Sequence, residues 1–193
     1  PLQWKTGGNR QKVARVELPA YFGLGSNLGD RLGYLARACE MMYNAPGLAR
    51  HAVSGIYETE PWGPVDQPAF LNCVVRALTD LDPDDLLALA RRIEGALGRR
   101  RSVDVRWGPR TIDVDILMVG DLAVNRLDLT IPHPRMWERS FVLIPLLDLE
   151  PDMRAPDGRS LHAFVQDLPD RQGVRRTRDD LQGVFGGAEN RLD

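Results

Sequence analysis

Arg106-Trp107-Gly108-Pro109-Arg110-Thr111-Ile112-Asp113-Val114-Asp115-Ile116-Leu117 sets two carboxylates two residues apart inside an apolar, β-branched stretch. Alternation of this kind reads as a strand, with Asp113 and Asp115 on one face and Ile112, Val114 and Ile116 on the other. Neighbouring like charges on a strand repel unless something positive stands between them. Hard divalent cations serve that purpose, and magnesium is the usual one where phosphates are handled. Arg106 and Arg110, just upstream, carry planar guanidinium forks suited to phosphate oxygens. The run therefore reads as a magnesium–nucleotide site. A solvated strand face with incidental acids would give the same pattern.

Working outward from that strand, Asp82-Pro83-Asp84-Asp85 opens a helix, with Asp82 at the N-cap and Pro83 at the first helical position. Its apolar stripe is Leu86, Leu87, Ala90, Ile93 and Leu97, and Gly98 ends it. A first strand over 20–26 leads to a helix capped by Asp30, with Leu32, Leu35, Ala36, Cys39, Met42 and Tyr43 at helical spacing. Strands are predicted over 51–57, 70–81 and 111–119, the last followed by a hairpin arm over 122–129. Helices capped by Ser140 and Ser160 are predicted near 141–149 and 161–168. The order β-α-β-β-α-β is the split βαβ, ferredoxin-like arrangement. It predicts an α+β fold: an antiparallel sheet with helices on one face, the other face free for a ligand, and a C-terminal hairpin and helical extension. One domain is expected over 18–169, with a flexible leader over 1–17 and a loosely ordered tail over 170–193.

The hydrophobic and charged fractions, 43% and 27% of 193 residues, are those of an ordinary globular domain large enough to bury a core. A net charge of −2 gives the whole molecule no pull toward nucleic acid or membrane. Locally the balance differs: Arg91 to Arg110 holds seven arginines against Glu94 and Asp104, a net of +5 beside the two aspartates. An RNA-binding module of the same fold could use this basic loop. Such modules carry aromatic, Gly-rich strands, which these strands are not. Cys39 and Cys73 lie in apolar runs without metal-ligand spacing, as small buried hydrophobes in a reducing compartment; a disulfide is the alternative. No apolar run reaches membrane-span length, and the cytoplasm is expected.

Five segments together resemble the 6-hydroxymethyl-7,8-dihydropterin pyrophosphokinase family, in its order and spacing. They are Gly25-Ser26-Asn27-Leu28-Gly29, Tyr57-Glu58-Thr59-Glu60-Pro61-Trp62-Gly63, Gln67-Pro68-Ala69-Phe70-Leu71-Asn72, the opening run, and Ile131-Pro132-His133-Pro134-Arg135 continuing to Arg139-Ser140-Phe141. The resemblance covers about residues 20–167. It implies transfer of the β,γ-pyrophosphoryl group of ATP to the hydroxymethyl of a reduced pterin, leaving AMP. It also implies small-molecule substrates; no nucleic acid or membrane partner is expected from the net charge, and a monomer is expected, although the sequence does not fix the oligomeric state.

The resemblance assigns roles. Asp113 and Asp115 would hold two Mg²⁺ ions on the triphosphate of the co-substrate ATP, one ion also activating the acceptor hydroxyl. Arg99, Arg101 and Arg110 would stabilise charge on the transferred group, while Arg100 and Arg106 read as a solvated basic loop. Phe70 and Phe141 would stack on the pterin and Asn72 would read its edge; from residue type alone each Phe is more often a core residue. Thr59 and Trp62 would rim that pocket, Trp107 would close it, and Asp113 would also face the pterin. His133 and Arg139 would meet the ATP phosphates, and Ile116, Leu129 and Thr130 the adenine. Glu94 would lie near the nucleotide or, equally, anchor the basic loop. His51 and His162 match nothing and read as structural.

Overall fold

The computed structural model describes residues 17–61, 66–99, 108–168 and 173–181. Strand β1 (Leu18–Ser26) is two-faced by alternation, with Ala20, Phe22 and Leu24 buried on one side and Tyr21, Gly23 and Gly25 on the other. Helix α1 (Arg31–Tyr43) starts where the Asp30 side chain accepts the Gly33 N–H at 2.9 Å, and buries Leu35, Ala38, Cys39 and Met42. Strands β2 (Leu48–Val53), β3 (Tyr57–Thr59) and β4 (Phe70–Thr79) follow. Helix α2 (Pro83–Ala96) has the expected start: Asp82 accepts from the Asp85 N–H at 2.9 Å, and Leu86, Leu89, Ala90 and Ile93 are buried. After β5 (Asp113–Val119), β6 (Val124–Asn125) and β7 (Thr130–Ile131) form a small separate hairpin. A 3₁₀ turn at Met136–Glu138 leads to α3 (Ser140–Leu149), α4 (Leu161–Asp167) and the short β8 (Arg175–Arg176).

The main sheet runs β5-β1-β4-β3-β8, with β2 also paired to β4, and every pairing is antiparallel. The mixed α+β architecture is as expected, with three local differences. The strand predicted over 51–57 is broken into β2 and β3. At the break the Ser54 hydroxyl takes the Val74 N–H at 2.9 Å, while the Gly55 N–H turns to Asp148 at 2.9 Å. Ser140 does not cap α3; it lies inside the helix, fully buried, and Arg139 stands at the N-cap without a side-chain bond. The tail is not loose throughout. Residues 173–181 carry β8 and the buried Leu181, while 170–172, 182–193 and the leader 1–16 lie outside the described residues.

The largest departure concerns the faces of the sheet. Helices α1 and α2 cover one face, around Phe22, Leu24, Val75 and Val114. The other face is not free along its length. Helices α3 and α4 pack Val142, Leu143, Leu146 and Leu161 against Tyr21, Val74, Leu117 and Met118. The β1–β5 register shifts there, pairing Tyr21 with Met118 but Phe22 with Ile116. This bulge leaves Leu117 unmatched and lets both Leu117 and Met118 join the second cluster. What stays available on that face is its other end, around Gly25, Asn72 and Asp113. Among the described residues no helix is long and apolar enough to cross a membrane.

His51, on β2, is 5% exposed, its ring 5.4 Å from that of Tyr43. Burial pushes its pKa below the ordinary 6.5, against a hydrogen bond with the Met42 backbone. The fold therefore holds the neutral imidazole, while the unfolded chain protonates near its ordinary value. The resulting stability is present above about pH 6.5 and is lost as pH falls through the lower folded value. Urea unfolding at about pH 7.5 and about pH 5 should show the wild type losing more stability than a His51→Gln variant, which cannot titrate there; equal losses would remove His51 as the cause.

Candidate active site

Register brings the polar residues together at this open end. Gly25 on β1 lies opposite Asn72 on β4 and Asp113 on β5. Gly23, two residues back on the same face, lies opposite Val74 and Asp115. Strands spaced by about 5 Å put Asn72 and Asp113 about 10 Å apart, with only glycine between them. A side chain here would crowd the row: a Cβ on Gly25 would stand 2.9 Å from Asn72 Oδ1 and 3.7 Å from Phe70, so Asn72 would have to shift. Asn72 is 6% exposed, and its Nδ2 donates to Thr59 Oγ1, 3% exposed, at 2.8 Å. Phe70 lies on the same face of β4 under the Arg110 guanidinium, 5.3 Å from its centroid.

On the other side of the glycines is a dense charged cluster. Arg99 bridges Glu94 and Asp113, and Arg110 Nη1 lies 3.2 Å from the second oxygen of Asp113. Asp115 meets Arg139 at 3.3 Å and His133 at 3.9 Å. Although 33% of the Asp115 side-chain surface is open, desolvation by the surrounding protein pushes its carboxyl up to about 7. The charge of Asp113 adds to the rise, while Arg139 and Arg110 oppose it. His133 is moved the other way, down to about 4, by burial and then by Arg139. Its Nδ1 accepts the Arg135 N–H at 3.2 Å, so the neutral ring carries its proton on Nε2, toward Asp115. The turn bearing it is pinned to β5 by the His133 N–H to Leu117 carbonyl bond, 2.8 Å.

Other expected residues fall differently. Glu94 is 1% exposed and its Oε1 accepts the Val114 N–H at 3.0 Å, besides pairing with Arg99; these are the contacts of an anchor. Ile116 and Leu129 are buried in the helix-side core, which leaves their backbone groups, rather than their side chains, for a base. Thr130 is half-buried on β7. Phe141 lies in the first turn of α3, its ring 5.6 Å from the Arg139 guanidinium. Trp62, Arg100, Arg101, Arg106 and Trp107 lie outside the described residues.

Two positioning residues were not read from the sequence. Asn27, 1% exposed, accepts the Arg110 N–H at 2.7 Å and donates to Gln67 Oε1 and the Pro68 carbonyl, both at 3.1 Å. It thereby fixes the arginine side and the Phe70 side of the site relative to each other. Arg31 donates to Glu58 at 3.0 Å and to the Ala69 carbonyl at 2.7 Å. Lone polar residues in a Gly-rich turn and at a helix start gave no periodic signal; only the motif around Asn27 marked the place.

The donor chemistry suits a hard divalent cation. Asp113 and Asp115 are oxygen donors on one strand face. Among the described residues no group of three or more His, Cys, Asp or Glu forms a cage. A cation here would be completed by oxygens from a ligand and water, as magnesium usually is on phosphates.

Residues 21–151 match the model of the 7,8-dihydro-6-hydroxymethylpterin-pyrophosphokinase family, HPPK. The 2-amino-4-hydroxy-6-hydroxymethyldihydropteridine pyrophosphokinase of Bacillus subtilis is 48% identical over 130 residues, covering 67% of this chain and 77% of that protein. Its namesake in Pseudomonas aeruginosa is 43% identical over 156 residues, covering 81% and 94%. A crystal structure of HPPK-DHPS from Plasmodium falciparum superposes with a TM-score of 0.66 at 15% identity. That match covers 86% of this chain but half of the longer one, and speaks for the fold alone. These matches lend no support to the RNA-binding reading. Sequence likeness over most of its length and the same overall architecture agree: the chain belongs to the 7,8-dihydro-6-hydroxymethylpterin-pyrophosphokinase family.

Proposed function

We propose that this site transfers the pyrophosphoryl group of ATP to the hydroxymethyl group of 6-hydroxymethyl-7,8-dihydropterin, a step of folate synthesis that releases AMP. The observation that carries the reading is the row Asn72–Gly25–Asp113, an amide and a carboxylate facing each other across a bare glycine. The acceptor belongs on the Asn72 side and the triphosphate on the Asp113 and Asp115 side, meeting over Gly25. The bond between Asn72 and Thr59 uses one amide N–H and fixes the orientation; the remaining N–H and the carbonyl match a pterin edge. Phe70 and Phe141 supply stacking faces, with Trp62 and Trp107 as rim and cover.

The acceptor oxygen forms a bond to the β-phosphorus as the bond from that phosphorus to the α,β-bridging oxygen breaks, and AMP leaves with that oxygen. Two magnesium ions, held by Asp113 and Asp115 with the triphosphate, would neutralise charge and ease loss of the hydroxyl proton. Arg99 and Arg110 already neutralise Asp113; with nucleotide present their guanidiniums, with Arg101, turn to the transferring and leaving phosphates. His133 and Arg139 donate to phosphate, His133 through Nε2–H without titrating near neutrality. Glu94 acts by anchoring Arg99. The antiparallel order β5-β1-β4-β3, with α1 and α2 on one face, supports a ferredoxin-like topology. We read the chain as a cytoplasmic monomer acting on small molecules.

An Asp115→Ala variant should stay folded, by circular dichroism, but lose pterin-dependent AMP formation by about a thousandfold or more. AMP release near the wild-type rate would overturn the metal assignment. Asn72→Ala should weaken pterin binding about tenfold, measured by isothermal titration, and leave ATP affinity within about twofold. Unchanged pterin affinity would refute its role as edge reader. Gly25→Val, which crowds Asn72 Oδ1, should raise the KM for pterin about as far as Asn72→Ala does; an unaltered KM would count against the glycine as the meeting point.

A further inference from the structure

We propose that residues 173–181, beyond the stretch matched to the family, form a strap that holds the pterin-facing wall in register, with Glu58, Arg175 and Thr177 as positioning residues. The inference rests on the pterin reading of Asn72 and Thr59. Strand β3 is three residues long and carries Thr59, the partner that orients Asn72. Its inner edge pairs with β4. Its outer edge is covered by β8, with Tyr57 opposite Arg176 and Glu58 opposite Arg175. The Thr177 N–H extends the hold to the Ile56 carbonyl at 2.8 Å. Leu181, 4% exposed, plugs the far end of the segment into the helix-side core.

Glu58 joins the strap to the rest of the wall. Its Oε2 accepts from Arg175 at 3.2 Å and its Oε1 from Arg31 at 3.0 Å, and Arg31 also holds the Ala69 carbonyl at 2.7 Å, next to Phe70. One carboxylate thus links β8, the start of α1 and the entry to β4. Arg176 adds a looser contact, 3.9 Å from Asp148, whose carboxylate accepts the Tyr57 hydroxyl and the Gly55 N–H. The Arg175 side chain is 78% exposed, so its ion pair alone contributes little. The hold comes from backbone pairing and Leu181, with the charges setting register. A strand of three residues paired on one edge frays readily. Freed of β8, it would let Thr59 wander and Asn72 lose its fixed orientation, and the pterin would be affected before ATP.

The test is a full-chain variant joining Thr177→Pro, which deletes the N–H to Ile56, with Arg175→Glu, which sets like charge against Glu58; each single change and Arg175→Lys run beside it. Steady-state kinetics with 6-hydroxymethyl-7,8-dihydropterin and MgATP are paired with amide hydrogen exchange at Tyr57 and Glu58. The double variant should raise the pterin KM about fivefold or more and leave the ATP KM within about twofold, with faster exchange in β3, while Arg175→Lys behaves as wild type. A pterin KM within about twofold despite faster exchange would overturn the positioning role. Exchange that stays slow would overturn the claim that these contacts hold the strap. Asn72→Ala, measured alongside, separates the two readings: if it leaves pterin affinity unchanged the site assignment falls, and if only the strap variants are silent the strap inference alone falls.

Discussion

Two carboxylates two residues apart on one strand face can coexist only where positive charge surrounds them. In this protein that constraint organises one end of the sheet. Arg99 and Arg110 close on Asp113, while Arg139 and a neutral His133 close on Asp115. Each of these four groups, three guanidiniums and one neutral imidazole, comes from a different part of the chain: the end of α2, the loop before β5, the approach to α3, and the turn after β7. The acidic pair is thus a gathering point for four segments. Burial still pushes the Asp115 carboxyl up, with the charge of Asp113 adding to the rise and Arg139 and Arg110 opposing it.

The second constraint is geometric. Antiparallel pairing across three strands fixes which residues share a row, and a one-residue slip would exchange the two faces. Asn72, Gly25 and Asp113 share a row because β1 lies between β4 and β5. The distance between the two halves of the site is therefore a property of the sheet, with no adjustable loop in between. Asn27 adds the cross-tie that keeps the loop before Phe70 and the backbone of Arg110 in step.

Much of this was legible in the sequence, for physical reasons. Asp82-Pro83 and Asp30 read correctly because capping is local chemistry, settled within four residues. Asp113 and Asp115 stood out because charge in a β-branched run needs a reason. Asn72 stood out in the same way, as one amide among apolar neighbours. What was missed depends on distant partners. The break at Ser54 requires Val74 to offer its N–H and Asp148 to receive that of Gly55. The packing of α3 on the second face requires a bulge at Leu117, which no pattern of alternation announces. The ordered part of the tail escaped because Arg175 and Arg176 resemble any charged terminus; only the backbone edge of β3 gives them a place. Ser140 was misread as a cap because residue type was weighed without its burial.

Strand β8 has one more consequence. An uncovered sheet margin offers a row of unpaired amides and carbonyls to any passing extended chain, and such margins seed aggregation. Here the margin of β3 ends in a strand of two residues, both arginine. Its shortness leaves an incoming peptide little to pair with, and its charge repels another copy presenting the same pair. Shortness and like charge, two features by which sheet edges resist such pairing, are thus both present at the outer margin of β3.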